Sequence, residues 1–264
     1  MLTGLSTMSY TAADGVAEIR FSRPEAANTL SIAFARDLRE VMIAIEHDSS
    51  VVAVAVTAEG PMFSGGGDLK EFAGLGDALP RTASGLVTDY HSAMYRMNRM
   101  SKPFVAGVRG AAGGAGLSLV SSFDLVIAGE SSKFTMGYTK VGMTPDGTST
   151  YFLSRHVGLR RAMELTLTNR VLNASEALAW GLVNDVVPDD EVDDRVKQMA
   201  QSFASGPSRA IGIAKRLVYE GYESSLEETG EREAAEIVKS MASDDGREGI
   251  AAFTEKRAPQ FGGQ

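Results

Sequence analysis

Residues 51–57 read VVAVAVT, and after a short spacer residues 63–70 read FSGGGDLK. A continuous run of small and β-branched residues without polar alternation predicts a strand covered on both faces. Residues 104–108 (FVAGV) repeat the pattern and lead into a second glycine-rich turn, residues 110–116 (GAAGGAG). Residues 125–128 (LVIA) give a weaker third instance. Residues 16–21 (VAEIRF) alternate apolar with polar, as a half-buried strand does. Helical spacing lies between these runs. Residues 31–46 carry Phe34, Leu38, Val41, Met42 and Ile45 on one face, and residues 90–100 and 117–123 are also helical in pattern. Strand and helix in alternation predict a layered α/β core with right-handed crossovers.

After Asp146 the strand signals fade. Residues 160–167, 174–180, 191–203, 208–219 and 225–241 have helical spacing, with a start signal at Ala174-Ser175-Glu176 and a stop at Gly181. The expectation is an α/β core over residues 1–200 and a helical domain over 201–264, with no internal sequence repeat. The 264 residues carry a net charge of −8 and a pI near 5.0. Such a chain is a poor non-specific partner for nucleic acid or anionic membrane. It has no cysteine, which excludes disulfides, a thiol nucleophile and thiolate metal sites. The histidines His47, His91 and His156 have no ligand spacing, so no metal site is expected. Residues 1–9 lack a basic-then-apolar leader, and no apolar run is long enough to span a bilayer. The expected location is the cytoplasm.

The two glycine turns bear most on chemistry. Glycine lets backbone approach a ligand closely, and a turn at a helix N-terminus presents unpaired N–H groups with the positive end of the helix dipole. Two such turns are able to aim two donors at one oxygen, as an oxyanion hole requires. Plain strand–helix turns explain the same spacing equally well. Neither turn carries GxxxxGK[ST] or a dinucleotide fingerprint. The third feature is residues 142–148, GMTPDGT. Asp146 there reads either as a turn or helix-cap residue, or as a carboxylate held at the mouth of a pocket to carry protons.

The chain resembles the crotonase superfamily, the enoyl-CoA hydratase/isomerase family, over residues 10–262. The segments that carry the resemblance are RPEAANTL (23–30), FSGGGDLKEF (63–72), GAAGGAG with the following LSLVSSFDLVIA (110–128), GMTPDG (142–147), ALAWGLV (177–183) and REGIAAFTEKR (247–257). The resemblance implies a spiral of ββα turns, a C-terminal helical trimerisation domain, and a homotrimer or homohexamer. It implies an acyl-CoA thioester substrate, with no cofactor beyond the substrate's CoA moiety. The backbone N–H groups of Gly67 and Ala115 then hold the thioester oxygen. The second position is usually glycine in relatives, so Ala115 serves only where the turn needs no positive φ. CoA lies along the backbone of Ala27 and of Gly65, Gly66, Asp68 and Leu69. Lys256 is either a partner for a CoA phosphate or a solvated surface lysine.

The departures from the family bear on the reaction. Standard hydratases place two glutamates at positions that here hold Ser118 and Tyr138. Neither supplies a carboxylate, and adding water needs both a base and an acid. Asp146 matches the aspartate of phenylacetate-pathway enoyl-CoA isomerases of the PaaG type, where one carboxylate shuttles a proton. It also matches the nucleophilic aspartate of 4-chlorobenzoyl-CoA dehalogenase, and His91 falls at that enzyme's active-site histidine. A packing or helix-surface histidine is the plainer alternative for His91. Tyr138 stands where the dehalogenase has a ring-clamping tryptophan. The expected function is double-bond isomerisation, with an aryl-CoA dehalogenase or a non-catalytic CoA-binding subunit as alternatives.

Overall fold

The computed structural model describes residues 4–262. Residues 1–3 and 263–264, the outer ends of the two expected domains and of the stretch read for a leader, lie outside the described residues.

A hairpin opens the fold: β1 (Met8–Ala13) pairs antiparallel with β2 (Val16–Phe21). After α1 (Ile32–His47) comes β3 (Ala53–Ala58), buried at every residue. α2 (Leu69–Gly74) and α3 (Leu79–Arg99) lead to β4 (Phe104–Val108), β5 (Ala111–Gly113), α4 (Ala115–Ser122), β6 (Leu125–Gly129) and β7 (Lys133–Thr135). Next come α5 (Ser149–Val157), α6 (Leu159–Thr168), β8 (Leu172–Asn173), α7 (Ala174–Trp180) and β9 (Asp185–Val187). Four helices close the chain: α8 (Val192–Ala204), α9 (Ser208–Gly221), α10 (Leu226–Ala242) and α11 (Asp244–Glu255).

The larger sheet has strand order β1-β2-β3-β4-β6-β9, parallel from β2 onward. The smaller has order β5-β7-β8. Each pass of the chain gives one strand to the larger sheet and one strand or bridge to the smaller layer. β3 is followed by a bridge from Ser64 to Ala112, β4 by β5, and β6 by β7. This is a ββα spiral. It is invisible as a sequence repeat because the small-sheet members are three residues or fewer.

The apolar run of β3 is accounted for by cover on both faces. Val54 and Val56 pack in the main core with Phe21, Phe34 and Leu38. Ala53 and Ala55 pack with Val192, Val196 and Ala200 of α8. That helix rests directly on β4, since a Cβ on Gly107 would lie 2.8 Å from both Val192 Cγ1 and Val196 Cγ2. α1 begins at Ser31, whose side chain accepts from Phe34 N–H, and buries the apolar face read in the sequence. α7 begins with a capping box of Asn173 and Glu176 and stops at Gly181 in the left-handed region.

The structure adds detail at three places. Where the strand signals fade after Asp146, two short strands remain: β8 in the smaller sheet, and β9, which extends the larger sheet through Ile127↔Asp185 and Gly129↔Val187. Three residues are too few to show a period. The helix expected over 90–100 begins at Leu79; of residues 79–89 only Leu86 is buried, so this half carries no core-facing stripe, and Pro80 sits in the first turn where proline fits. Residue 200 falls inside α8, with Ala200 buried against the sheet, so the chain leaves the sheet at Ser205-Gly206-Pro207. Among the described residues, no helix is long and apolar enough to cross a membrane.

Candidate active site

The first glycine turn is held from two sides. Toward the second turn, Ser64 N–H donates to Ala111 O at 3.1 Å and Gly113 N–H donates to Ser64 O at 3.0 Å. Toward the segment before α1, Gly65 N–H donates to Ala27 O at 2.8 Å and Leu30 N–H to Gly66 O at 2.7 Å. That segment has an unusual backbone: Ala27 and Asn28 both have positive φ, 52° and 48°. Left-handed alanine costs roughly 1–2 kcal/mol. Buried Asn28 offsets this with its side chain, donating to Glu59 O and Met62 O at 2.9 Å each and accepting from Arg23 N–H at 2.9 Å.

Gly66 is where the two turns meet. It has φ +94°, and a Cβ there would lie 2.7 Å from Gly113 O and 3.5 Å from Ala115 N. Glycine is therefore required on both conformational and steric grounds. Gly116 is similarly constrained, since a Cβ would sit 2.7 Å from Ser64 Cβ. In the second turn the positive φ values belong to Gly110 and Gly114, at 64° and 51°, and Ala115 is unstrained as the first residue of α4. The condition set by alanine at this position is thus met. Neither Gly67 N–H nor Ala115 N–H has a hydrogen-bond partner among the described residues. Both turns line one cavity of about 790 Å³.

Tyr90, on α3, fixes the second turn from beneath. It is fully buried, and its hydroxyl donates to Ala115 O at 2.8 Å. Burial, reinforced by Tyr138 and Asp146, pushes its ionisation well above the ordinary phenol range, so it stays a donor. The residue was not singled out from sequence. Its signal is a tyrosine on the buried stripe Leu86, Tyr90, Ala93, Met94, Met97, where a hydroxyl tip needs a polar partner.

Opposite the turns, the loop before α5 brings Asp146 to the cavity wall. Gly147 has φ +63°, and a Cβ there would lie 2.5 Å from the Tyr90 ring and 3.0 Å from Ser118 Cβ. The Asp146 loop and the second glycine turn are therefore referenced to the same tyrosine. Asp146 O accepts from Ser149 Oγ at 2.9 Å. The carboxylate Oδ1 lies 2.5 Å from His91 Nε2, and Gly147 N–H donates to the same nitrogen at 3.2 Å. Asp146 is the only carboxylate among the described residues lining the cavity. The walls between it and the turns are mainly aliphatic: Leu30, Leu79, Leu86, Val87 and Met143, with Phe72.

The structure gathers Gly65, Gly66, Gly67, Leu69, Ala115, Tyr138 and Asp146 around this cavity. Five other residues singled out from sequence do not line it. Ala27 backs Gly65. Asp68 caps α2 and faces Thr29 and Arg23; burial would raise its pKa, but the Glu71 N–H, Thr29 and Arg23 together hold it below the ordinary value. Ser118 is buried beneath Tyr138, the two hydroxyl oxygens 2.8 Å apart. Burial raises the Tyr138 phenol well above its usual range, against the lowering effect of the Ser118 hydrogen bond. His91 stands behind Asp146 and lines a separate outer cleft. Lys256 ends α11 in the left-handed region.

Residues 11–264 match the family described as enoyl-CoA hydratase/isomerase. A 4-chlorobenzoyl coenzyme A dehalogenase from an Arthrobacter species is 34% identical over 92% of this chain and 88% of its own. A 1,2-epoxyphenylacetyl-CoA isomerase from Escherichia coli K12 is 32% identical over 95% and 96%. The crystal structure of an enoyl-CoA hydratase from Bacillus anthracis superposes with a TM-score of 0.91 at 30% identity, covering 98% of this chain and all of that one. With its spiral of ββα turns and paired glycine turns, the chain belongs to the enoyl-CoA hydratase/isomerase family and has the crotonase fold.

Proposed function

We propose that the protein isomerises an enoyl-CoA thioester, moving a double bond with Asp146 as the proton carrier. The observation that carries this reading is that, among the described residues, one carboxylate faces two unpartnered amide N–H groups, Gly67 and Ala115, across one largely aliphatic cavity. In this mechanism the thioester oxygen lies between the two N–H groups. Asp146 takes a proton from the α-carbon, the two donors and the α4 dipole hold the dienolate oxygen, and Asp146 returns a proton to the γ-carbon. Each donor is worth about 3 kcal/mol of barrier. The CoA moiety runs along the backbone of Ala27, Gly65, Gly66, Asp68 and Leu69, with Lys256 toward its phosphates. No other cofactor or metal takes part. Ser118 and Tyr138 form a neutral hydroxyl pair, which supplies no base for water and speaks against ordinary hydration. The protein acts in the cytoplasm as a homotrimer or homohexamer assembled through its C-terminal helices.

A second reading is favoured by the 2.5 Å contact of His91 with Asp146 and by the dehalogenase relative. There Asp146 attacks an aryl ring and His91 serves the hydrolysis of the aryl ester. The aliphatic walls, with Tyr138 and Phe72 the only aromatics among the described lining residues, support the enoyl reading over this one. The test is turnover of a 3-enoyl-CoA, a 2-enoyl-CoA and 4-chlorobenzoyl-CoA by the parent and by Asp146→Asn. Conversion of the 3-enoyl thioester by the parent, lost in the variant with CoA binding retained, is expected. Chloride release would replace isomerisation by dehalogenation. Hydration of the 2-enoyl thioester that survives in Asp146→Asn would reject Asp146 as the acting group. Tight CoA binding without any turnover would favour a non-catalytic CoA-binding subunit.

A further inference from the structure

The first half of α3 turns its apolar residues toward the cavity instead of the core. Leu79, Ala83, Leu86 and Val87 all line it, and their spacing places them on one helical face. None of the four carries a polar side-chain atom. Residues 135–144 bring Thr135, Tyr138, Lys140 and Thr144 to the same cavity. One wall is therefore apolar and another polar. The level of the chemistry on α3 is marked twice. Tyr90 hydroxyl donates to Ala115 O at 2.8 Å, and His91, the next residue, contacts Asp146 Oδ1 at 2.5 Å. Helical side chains lean toward the N-terminus, so this level is that of Val87, one turn earlier. Ala83 lies four residues and Leu79 eight residues farther along the helix, steps of about 6 and about 12 Å at about 1.5 Å per residue. Ala83 is the one residue of the stripe without a γ-carbon, which leaves a notch between Leu79 and Leu86.

We propose that the acyl group of the substrate is a straight aliphatic chain of medium length laid along this stripe, and that Ala83 is the residue that admits it. The proposal rests on the reading of the cavity as an acyl-CoA site with the thioester oxygen at Gly67 and Ala115. With the carbonyl there and the α- and γ-carbons at Asp146, the rest of the chain has to leave along a wall. Phe72 closes the donor end, since a Cβ on Gly67 would lie 3.0 Å from its ring. An alkyl chain gains by leaving water only against an apolar wall, which is the α3 stripe. An extended chain advances about 1.25 Å per carbon, so it covers the step of about 6 Å from Val87 to Ala83 in about five carbons beyond the γ-carbon. An acyl group of about nine carbons therefore reaches the notch, and a side chain larger than alanine at residue 83 stops longer chains there. The stripe also accounts for the apolar residues in a half-helix where only Leu86 is buried, because the substrate completes that face. An aryl group is shorter; it ends before Ala83 and leaves the stripe open to water.

The test separates binding from chemistry. Calorimetry gives Kd for the saturated thioesters from butanoyl-CoA to dodecanoyl-CoA, and for benzoyl-CoA, with the parent, Ala83→Leu and Ala83→Phe. The matching 3-enoyl thioesters give kcat/KM. For the parent, Kd is expected to fall about twofold for each carbon added up to dodecanoyl, half the effect of a fully buried methylene because the chain is covered on one side. The ratio of the butanoyl to the dodecanoyl Kd is expected to fall about tenfold in Ala83→Phe and by less in Ala83→Leu. Each variant is read against its own butanoyl-CoA, so partial folding changes the stoichiometry and not the ratio. Three results overturn the stripe as the acyl path: a parent whose affinity stops rising at hexanoyl, tighter binding of benzoyl-CoA than of decanoyl-CoA, or an Ala83→Phe variant that keeps the parent's ratio. The expected length dependence without conversion of any 3-enoyl thioester supports the stripe and overturns the isomerase reading. A parent that binds none of the thioesters overturns both.

Discussion

Tyr90 does two jobs with one side chain. Its hydroxyl holds Ala115 O at 2.8 Å, and its ring supports Gly147 beside Asp146. The spacing between the Ala115 turn and the Asp146 carboxylate is therefore set by a residue that does not line the cavity. Tyr90→Phe keeps the ring and removes one of the donors to the Ala115 carbonyl, a loss of about 0.5–1.5 kcal/mol. The expected outcome is a lower denaturation midpoint and a fall in kcat larger than the change in KM, because the Ala115 N–H matters most when charge develops on the thioester oxygen. Steady-state kinetics beside a urea melt checks this; unchanged kcat with lowered stability would make Tyr90 a core residue only. The contrast with Gly66 shows what a sequence discloses at this scale. Glycine states its own backbone requirement, so the two turns and the Asp146 loop were legible as special places. A tyrosine or histidine states only that a polar tip needs a partner. That Tyr90 reaches Ala115, that Ser118 and Tyr138 meet each other, and that His91 faces Asp146 depends on how α3, α4 and the Asp146 loop cross. No local pattern encodes those crossings.

Among the elements, α9 carries the clearest long-range anchor. Lys215 on α9 lies 2.8 Å from Asp124, the residue before β6, and also donates to Met97 O and Lys102 O at 2.8 and 2.9 Å. Tyr219, one turn later, donates to the other carboxylate oxygen at 2.9 Å, and Phe104 N–H donates to Asp124 at 2.7 Å. The side chains of Lys215 and Asp124 are only 6% and 13% exposed. Burial pushes Asp124 up and Lys215 down, toward their neutral forms, and their mutual attraction opposes both shifts. Such a pair contributes little when intact but costs about 3–5 kcal/mol when one partner is lost. Lys215→Met is expected to destabilise on that scale. The double variant Asp124→Asn with Lys215→Met should lose less than the sum of the single changes, because no uncompensated charge stays buried. Additive losses in urea melts would mean that the pair is not coupled. The helix itself was legible from its spacing, but the anchor was not, since Lys215 and Asp124 are far apart in sequence and each is unremarkable alone. The same holds for β9, whose three residues become a strand only because β6 offers an open edge.

For the whole molecule, the question is what covers the helices beyond α8. Leu226 is 83% exposed and Phe253 87%, and Val218, Met241 and Ile250 are also exposed on α9, α10 and α11. A cleft of about 420 Å³ between these helices adds an apolar lining that includes Ile213, Ile250 and Phe253. Large apolar side chains exposed on neighbouring helices are surface that association can cover, and removing it from water is worth about 25 cal/mol per Å². The rest of the molecule gives association no help, because a net charge of −8 makes like copies repel at low ionic strength. The proposed trimer therefore has to be held by apolar contact at these helices, and that dictates how it should fail. Phe253→Asp adds a charge where the interface needs an apolar surface, at a position so exposed that the isolated fold has no reason to suffer. Light scattering of the parent should give a multiple of three times 28.0 kDa, independent of salt apart from a slight strengthening as repulsion is screened. The variant should scatter as a smaller species with an unchanged circular dichroism spectrum. A parent that is already monomeric would reject the assembly, and a variant that stays assembled would move the interface away from α11.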